Sequence, residues 1–580
     1  DDDSGMDTYL ELLKAKKTAN FNSIHELDIL VLTNITVNPL KDYLEYQAGL
    51  EGIKANVTFG DYDNIVQNAK DYDLENKVVI VFWELANLLH GLEYKIDTFD
   101  KSQIDQLEEK VKTELKFTFE ALNKASLVIM NSFSALAFTH LLTETSALEQ
   151  LADRLNDFCR SEAPAGIKWV NIDKCLVNGG IKNSIDYKGY LKSKWLYKHD
   201  FFDHYSKLIQ PYLNALCGKL NKLLALDCDN TLWHGIIGED GSDGIAMDEN
   251  TFKGQAYAAA QYRAIALGRI GVLLALVSKN NPEDVDAVIE SHNDITIADE
   301  DLVAKKVNWM PKGENLDQLA KELNIGLDSF VFVDDSDFEI QMMLDQYPTV
   351  TSIQAPNNSV SYYIGQMAWP NYFVQLNKSD EDAKKLVQYK QNARRANEAQ
   401  KHEDFESFLA DLGIQLTIYQ NKEETIPRMA QMTQKTNQFN LTTERYTESQ
   451  IEKFVTGKQY DCFAFSTEDK FGDSGVTGLC IVDYVEEDEA VIDSLLMSCR
   501  VLGRNIEFRF MDEVLNKVFK RSKSIKASFI PTKKNAQVAD FYGKIGMEKV
   551  EESQKITTYK LNKENFNASN PHHYIKLNYD

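Results

Sequence analysis

The sequence predicts an α/β protein in which a doubly wound, parallel-sheet unit is flanked by a second α/β unit before it and an α+β unit after it. Three observations carry this. Short apolar runs alternate with amphipathic, helix-period stretches over the first two thirds of the chain. Several of those runs end in polar residues, as parallel strands do at a ligand-binding sheet edge. Beyond about residue 405 the strand-like runs come in quick succession, as in antiparallel sheets.

In the first unit, Asp28–Leu32, Val78–Phe82 and Leu127–Met130 read as buried strands. Ile104–Lys124 and Ser146–Arg160 read as the helices between them. In the second, the expected strands are Leu223–Asp227, Val272–Ser278, Ile295–Ile297, Phe330–Asp334 and Val350–Ile353. Helices are expected at Gln255–Gly268, Pro282–Ser291 and Asn315–Leu323. Ser379–Glu403 has no Pro or Gly, carries Lys384, Lys385, Lys390, Arg394 and Arg395, and reads as one exposed connecting helix. The third unit should hold strands near Gln415–Tyr419, Cys462–Thr467, Thr477–Tyr484, Ala490–Met497 and Ile525–Ile530, with helices near Ile506–Phe519 and Ala536–Lys544.

Bulk composition narrows the function classes. The chain has 580 residues, enough for several domains. A net charge of −26 argues against nonspecific nucleic-acid or membrane-surface binding. Seven cysteines with no CxxC fit a reducing compartment and no structural zinc. The most apolar long segment, Val78–Leu89, is too short to span a bilayer, and no signal peptide is evident, so a cytoplasmic location is expected.

The chemistry concentrates in the second unit. Asp227-Cys228-Asp229-Asn230-Thr231 follows the apolar run Leu223–Leu226. A spacing of i and i+2 on a strand puts both carboxylates on one face. Paired carboxylates need a cation or a shared proton, and the simplest reading is a Mg²⁺ site that handles phosphate. Ser278 and Asn280 end the second strand, Lys312 follows Pro311, and Asp334-Asp335 end a later strand. This set suits phosphoryl transfer through an aspartyl phosphate. Asp227 would be the nucleophile. Asp229 would protonate the leaving oxygen and deprotonate water, with its main-chain carbonyl on the metal. Asp335 would complete the metal shell. Ser278 would hold a phosphoryl oxygen and Lys312 would balance charge. Thr231, Asn280 and Asp334 would support them.

These elements, in this order, resemble those of the haloacid dehalogenase (HAD)-like phosphohydrolases, whose central domain is Rossmann-like. The stretch between Thr231 and Val272 leaves little room for the cap domain such enzymes often insert, so an open site is expected. Neighbouring residues resemble FkbH-like proteins more closely: Leu232-Trp233-His234-Gly235-Ile236-Ile237-Gly238-Glu239-Asp240-Gly241, Ser278-Lys279-Asn280, Val307-Asn308-Trp309, Leu323–Phe332, Gln438–Thr443, Phe471-Gly472-Asp473 and Ser498–Arg504. The resemblance implies an SGNH-hydrolase-like domain over 1–218, a HAD-like phosphatase domain over 219–375, a linker helix over 376–404 and an acetyltransferase (GNAT)-like domain over 405–580. It also implies an activity: dephosphorylating a phosphoglycerate-type substrate and loading glyceryl onto an acyl carrier protein.

The chain departs from the family pattern in places. No Gly-Asp-Ser nucleophile block is present, and Leu32-Thr33-Asn34-Ile35-Thr36 stands at its position, so hydrolase activity is not expected in the first unit, even with His204 as a candidate histidine. Arg500-x-x-Gly503-Arg504-Asn505 resembles a pyrophosphate loop opening a helix and is a candidate pantetheine or CoA cradle, with Asn505 where Gly or Ala is usual. Cys228 and Cys499 are the candidate thioester cysteines. Lys520, Arg521, Lys523, Lys526, Lys533 and Lys534 cluster as docking groups for an acidic carrier. Two rival readings remain open at this point: a phosphatase for a small phosphorylated metabolite, and a non-catalytic carrier-binding scaffold.

Overall fold

The computed structural model describes residues 3–377, 385–399, 405–486, 488–567 and 572–580. The backbone divides into two compact units, Asp1–Cys217 with Tyr446–Gln450, and Gly218–Arg445 with Ile451–Asp580. No helix among the described residues is long and apolar enough to cross a membrane.

The first unit is built on five parallel strands, β1 (His25–Thr33), β2 (Ile53–Phe59), β3 (Lys77–Phe82), β4 (Leu127–Asn131) and β5 (Ile167–Val170). Their order is β2-β1-β3-β4-β5. The three interior strands are the three expected from sequence. Both their faces are covered, so they read as continuous apolar runs. The two edge strands mix polar with apolar residues and have no such run. Helices Lys101–Leu122 and Ala147–Glu162 each begin with a reciprocal capping box, Asp100 with Gln103 and Ser146 with Glu149.

In the second unit, β6 (Leu223–Leu226), β7 (Leu273–Ser278), β8 (Leu302–Val307), β9 (Phe330–Asp334) and β10 (Thr351–Gln354) form a parallel sheet in the order β10-β9-β6-β7-β8. All four residues of β6 are at most 1% exposed, and each of its three leucines contributes about 1.5–3 kcal/mol of burial. One expected strand is corrected. Ile295–Ile297 is a loop, and the edge strand is Leu302–Val307. Side-chain Oε1 of buried Gln261 accepts the amides of Thr296 (2.8 Å) and Ile297 (3.2 Å), so these groups need no ladder.

A third sheet follows in the same unit, with β11 (Gln415–Gln420), β12 (Phe439–Asn440), β13 (Tyr460–Asp469), β14 (Gly472–Glu486), β15 (Glu489–Met497), β16 (Ser524–Phe529), β17 (Glu548–Glu552), β18 (Thr557–Asn562) and β19 (Lys576–Tyr579). It is largely antiparallel; β15 with β16 and β11 with β19 are its parallel pairs among the described residues. Strands β15 and β16 pair only at Glu489–Ile492 with Ser524–Ala527. Beyond that, β12 fills the divergence. Phe439 and Asn440 pair with Met497 and Leu496, Leu441 N donates to Leu495 O (3.1 Å), and Ile530 N donates to Leu441 O (2.8 Å).

The connecting helix is described over Lys385–Ala399. Positions 379–384 and 400–403 of the expected helix, Lys384 included, lie outside the described residues, as does the side chain of Arg394. The helix is not an exposed linker, which corrects the reading from its charge. Gln388, Tyr389 and Arg395 are buried. Arg395 makes a two-pronged pair with Asp469, at 2.7 Å on each arm, and Lys390 Nζ reaches the carbonyls of Asp299 and Glu300 beyond the second sheet. An arginine in a charged run can turn inward when a carboxylate waits there, which composition does not reveal.

Candidate active site

Strands β6, β7 and β9 run parallel, so Asp227, Ser278 and Asp334-Asp335 all come off one carboxyl edge of the second sheet. β6 stops at Leu226, one residue short of expectation. Asp227 N still donates to Val333 O (3.0 Å), and then the chain turns. Asn230 takes a left-handed conformation, φ 51°, which Asn tolerates better than most residues. Its Oδ1 accepts from Gly235 N (3.0 Å) and closes the turn. Gly235 itself has φ 99°, and a Cβ there would meet Asp240 Oδ2 at 2.8 Å.

This turn corrects the same-face expectation for the two carboxylates. Asp227 points to Lys312, whose Nζ is 3.0 Å from its Oδ1 and 2.5 Å from Asp334 Oδ2. Asp229 faces elsewhere. Its Oδ1 accepts from Trp233 Nε1 and Ile237 N, both at 2.9 Å, and its Oδ2 accepts from Asn280 Nδ2 at 2.9 Å. Asn280 Nδ2 also reaches Ser278 Oγ (3.1 Å), and the Ser278 hydroxyl beside Asp227 favours its charged form. Ser278, Asn280 and Lys312 are each at most 5% exposed. The amide thus ties the two carboxylates' surroundings together.

Carboxylate oxygens of Asp227, Asp334 and Asp335 lie within 4.8 Å of one another. Burial pushes the Asp227 carboxyl up, against the pull of Lys312. Burial and the Asp227 charge push Asp334 up to about 7. Burial first, then Asp227, raises Asp335. Burial alone would lower the Lys312 ammonium, but the Asp227 and Asp334 carboxylates outweigh it and hold it above the usual lysine range. Three carboxylates around one ammonium leave a surplus of negative charge. Oδ1 of Asp227 is buried, and although Lys312 is near, no donor meets it in hydrogen-bonding geometry. A surplus of hard oxygen donors with an unmet lone pair fits a hard divalent cation held by Asp227, Asp334 and Asp335. Asp334 was read from sequence only as support; the structure puts its carboxylate in the cluster. The carboxylate of Asp229 is outside it.

Further residues shape the site, Tyr362, Glu339 and Phe338 among them without a sequence signal. Trp233 is fully buried behind Asp229. Tyr362 OH donates to Thr231 O (2.7 Å), fixing the turn from a distant helix. Lys279 pairs with Glu339 at 2.6 Å. Thr231 Oγ1 is buried without a hydrogen-bond partner. Around the edge, Trp309 (69% exposed) and Ile236 (37%) stand on the loops leaving β8 and β6, and Phe338 (65%) stands in the first turn of the helix Asp337–Gln346 that follows β9.

The remaining sequence candidates fall elsewhere. Cys228 is 0% exposed in the apolar core, and burial pushes its thiol well up. The side chain of Cys499 lies outside the described residues. Gly503 and Asn505 take positive φ, 77° and 60°, ahead of helix Ile506–Val518. Arg504 turns back onto Asp469 (3.3 Å) and Asn392 (2.8 Å), and Arg500 Nε donates to Ser498 Oγ (3.1 Å). Of the basic cluster, Arg521, Lys523 and Lys526 pair with Asp461, Asp488 and Glu489. In the first unit, Asn34 and Glu84 lock together, Asn34 Nδ2 to Glu84 O (2.9 Å) and Glu84 N to Asn34 Oδ1 (2.7 Å). His204 Nδ1 contacts Asp200 O one turn back in its own helix. Glu84 is buried and accepts from Tyr197 OH (2.6 Å); burial pushes its carboxyl up to about 7.

No family profile matches the chain, and no curated protein matches it in sequence. Among solved structures, the chain is similar to the N-terminal part of the protein BF1531 from Bacteroides fragilis, described as containing a phosphatase domain complexed with Mg. The match is 23% identical, covers 63% of this chain and 99% of that one, and has a TM-score of 0.54. It shows a shared fold. Weaker likenesses are to the ribosomal-protein-S18-alanine N-acetyltransferase from Escherichia coli (12% identity, 27% of this chain and 99% of that one, TM-score 0.21) and a spermidine N-acetyltransferase from Vibrio cholerae (11%, 26% and 96%, TM-score 0.21).

Proposed function

We propose that the chain is a Mg²⁺-dependent phosphoryl-transfer enzyme of the HAD type, acting through an acyl phosphate formed on Asp227. The observation that carries this reading is the buried cluster of Asp227, Asp334 and Asp335 around Lys312. Asp227, Asp334 and Asp335 would hold the ion, and bound Mg²⁺ would offset phosphate charge as a Lewis acid.

The chain's own residues supply the rest. An Asp227 oxygen bonds to phosphorus as the ester P–O bond breaks, and the leaving oxygen takes a proton. Water then attacks the aspartyl phosphate, giving up its proton and freeing Asp227. Asp229 moves both protons. Its Oδ1 is held by two N–H groups and its Oδ2 by one, so Oδ2 is the atom with room for the proton. Ser278 and Lys312 hold phosphoryl oxygens.

The FkbH-like resemblance supports a phosphoglycerate-type substrate and an acyl carrier protein as acceptor. The exposed aromatics Trp309 and Phe338 at the site's edge support a substrate presented by a macromolecule, since exposed aromatics are common anchors at interfaces. Cys228, sealed in the core, favours the carrier's own thiol as the acyl acceptor. That thiol attacks the acyl carbon, phosphate leaves with the acyl C–O electrons and takes up the thiol proton, and the remaining phosphate ester is hydrolysed through Asp227 as above. On this reading the chain comprises a non-hydrolytic SGNH-like part, a phosphatase domain and a GNAT-like part. The test is to incubate the protein with bisphosphoglycerate, Mg²⁺ and a carrier protein, then weigh the carrier by mass spectrometry. A glyceryl adduct supports the full reading; phosphate release without an adduct leaves the phosphatase and removes the transferase.

A further inference from the structure

A cavity of about 520 Å³ opens between the second and third sheets, within one compact unit. This is a volume that small organic ligands fill. Lys222, Leu273 and Ser329 line it at the amino ends of β6, β7 and β9. The carboxylate cluster sits at the opposite edge. With about 3.3 Å of rise per strand residue, β7 alone separates the two by roughly 17 Å.

Its charge runs against the rest of the molecule. The chain carries −26 overall, yet the lining holds seven cationic side chains and a single carboxylate, Asp328, which pairs with Lys534. The others are Lys222, Lys385, Arg428, Lys435, Arg500 and Lys533. Arg500 is 6% exposed, and its Nη1 is buried without a hydrogen-bond partner. A buried guanidinium with an unmet donor is costly unless an anion answers it. The rest of the wall mixes apolar and aromatic side chains, Tyr389, Met432 and Leu327 among them, with neutral polar ones such as Asn437 and Gln438. Guanidinium and ammonium groups beside an aromatic face suit a phosphate-bearing ligand with a flat organic body.

We propose that this cavity is a second ligand site, separate from Asp227, for a nucleotide-type molecule. Its phosphates would sit among the cations and its base against Tyr389 and Met432. The assignment does not depend on the chemistry at Asp227.

The test uses the full chain carrying Asp227→Asn, so that no phosphate ester is consumed, titrated calorimetrically with ADP, coenzyme A and pyrophosphate. ADP should bind one to one, about tenfold or more tighter than pyrophosphate, and coenzyme A, which carries the same nucleotide group, should bind as well. Combining Lys435→Gln with Lys533→Gln should weaken ADP by about 100-fold, since each removes a charge-assisted contact. Lys555→Gln, exposed and outside the lining, should leave it unchanged. Absence of ADP binding, or ADP affinity untouched by the double substitution, overturns the site. Pyrophosphate binding as tightly as ADP overturns the nucleotide assignment.

Discussion

Lys312 and Asp334 form a buried ion pair at 2.5 Å, with the lysine side chain 5% exposed and the aspartate 0%. The same ammonium serves Asp227. Replacing it with methionine therefore leaves a cluster of carboxylates with no protein cation. Lys312→Met should lower the unfolding free energy by about 3–5 kcal/mol in metal-free buffer. It should also cut hydrolysis of p-nitrophenyl phosphate by about 100-fold or more. Denaturant melts and a colorimetric assay check the two arms, and unchanged stability would sever Lys312 from the cluster's electrostatics.

A cation bound only by the folded chain must stabilise it. Mg²⁺ at about 100 times its Kd should add about 2.7 kcal/mol, and a chelator should reverse this. Asp335→Asn should remove most of the gain while leaving the metal-free melting temperature nearly unchanged, because Asp335 is only half-buried. A gain that survives Asp335→Asn would place the ion elsewhere.

Glu84 gives the first unit a pH dependence of a defined sign. Its carboxyl is raised from 4.5 to about 7 by burial. Between those values the folded state holds a proton that the unfolded state has lost, so stability falls as pH rises through about 7 and levels off above it. The span amounts to about 3 kcal/mol. Glu84→Gln should flatten this slope and exceed the parent at pH 8, because the Tyr197 hydroxyl can turn to accept from the amide. Urea midpoints from pH 5 to 8 for the two proteins would show it; parallel curves would contradict it.

Asp469 answers two buried guanidiniums, Arg395 and Arg504, and the proximity of Arg395 and burial lower Arg504 to about 10, burial being the larger cause. Asp469→Asn strands both. A loss of about 3–5 kcal/mol is expected, read as a lower denaturation midpoint, with Asp473→Asn, exposed at the start of β14, as a near-neutral control.

If the exposed edge of the site seats a carrier, substitutions there separate small from large substrates. Trp309→Ala with Phe338→Ala should leave p-nitrophenyl phosphate turnover within about twofold. It should reduce kcat/KM with a carrier-bound substrate by about tenfold or more, the usual scale for losing aromatic anchors. Equal losses on both would mean that the pair shapes the site itself.

Much of this was legible in order along the chain. Interior parallel strands announce themselves because both faces are buried, and Pro282–Ser291 was read to the residue because proline and acids mark its start. Asp227, Ser278, Lys312 and Asp335 could be picked out because each follows or precedes a strand end. Other features depended on contacts far apart in sequence. Edge strands β2, β5 and β8 lack a continuous apolar run. The turn at Asn230, which sends Asp227 and Asp229 to different partners, depends on Gly235 and Tyr362 together. Arg395 looked solvated because its partner Asp469 lies 74 positions away.

The short strand β12 has a consequence for the third sheet. By lying between the diverging ends of β15 and β16, it occupies backbone donors and acceptors that would otherwise form an open sheet edge. Any extended molecule that would add to that edge must first evict Phe439–Leu441. Entry is therefore a competition within the chain, with a threshold set by the local opening of one short segment. Amide exchange at Leu441 would report that opening directly, and an edge-binding ligand would accelerate exchange at Leu441 while protecting Leu496 and Met497.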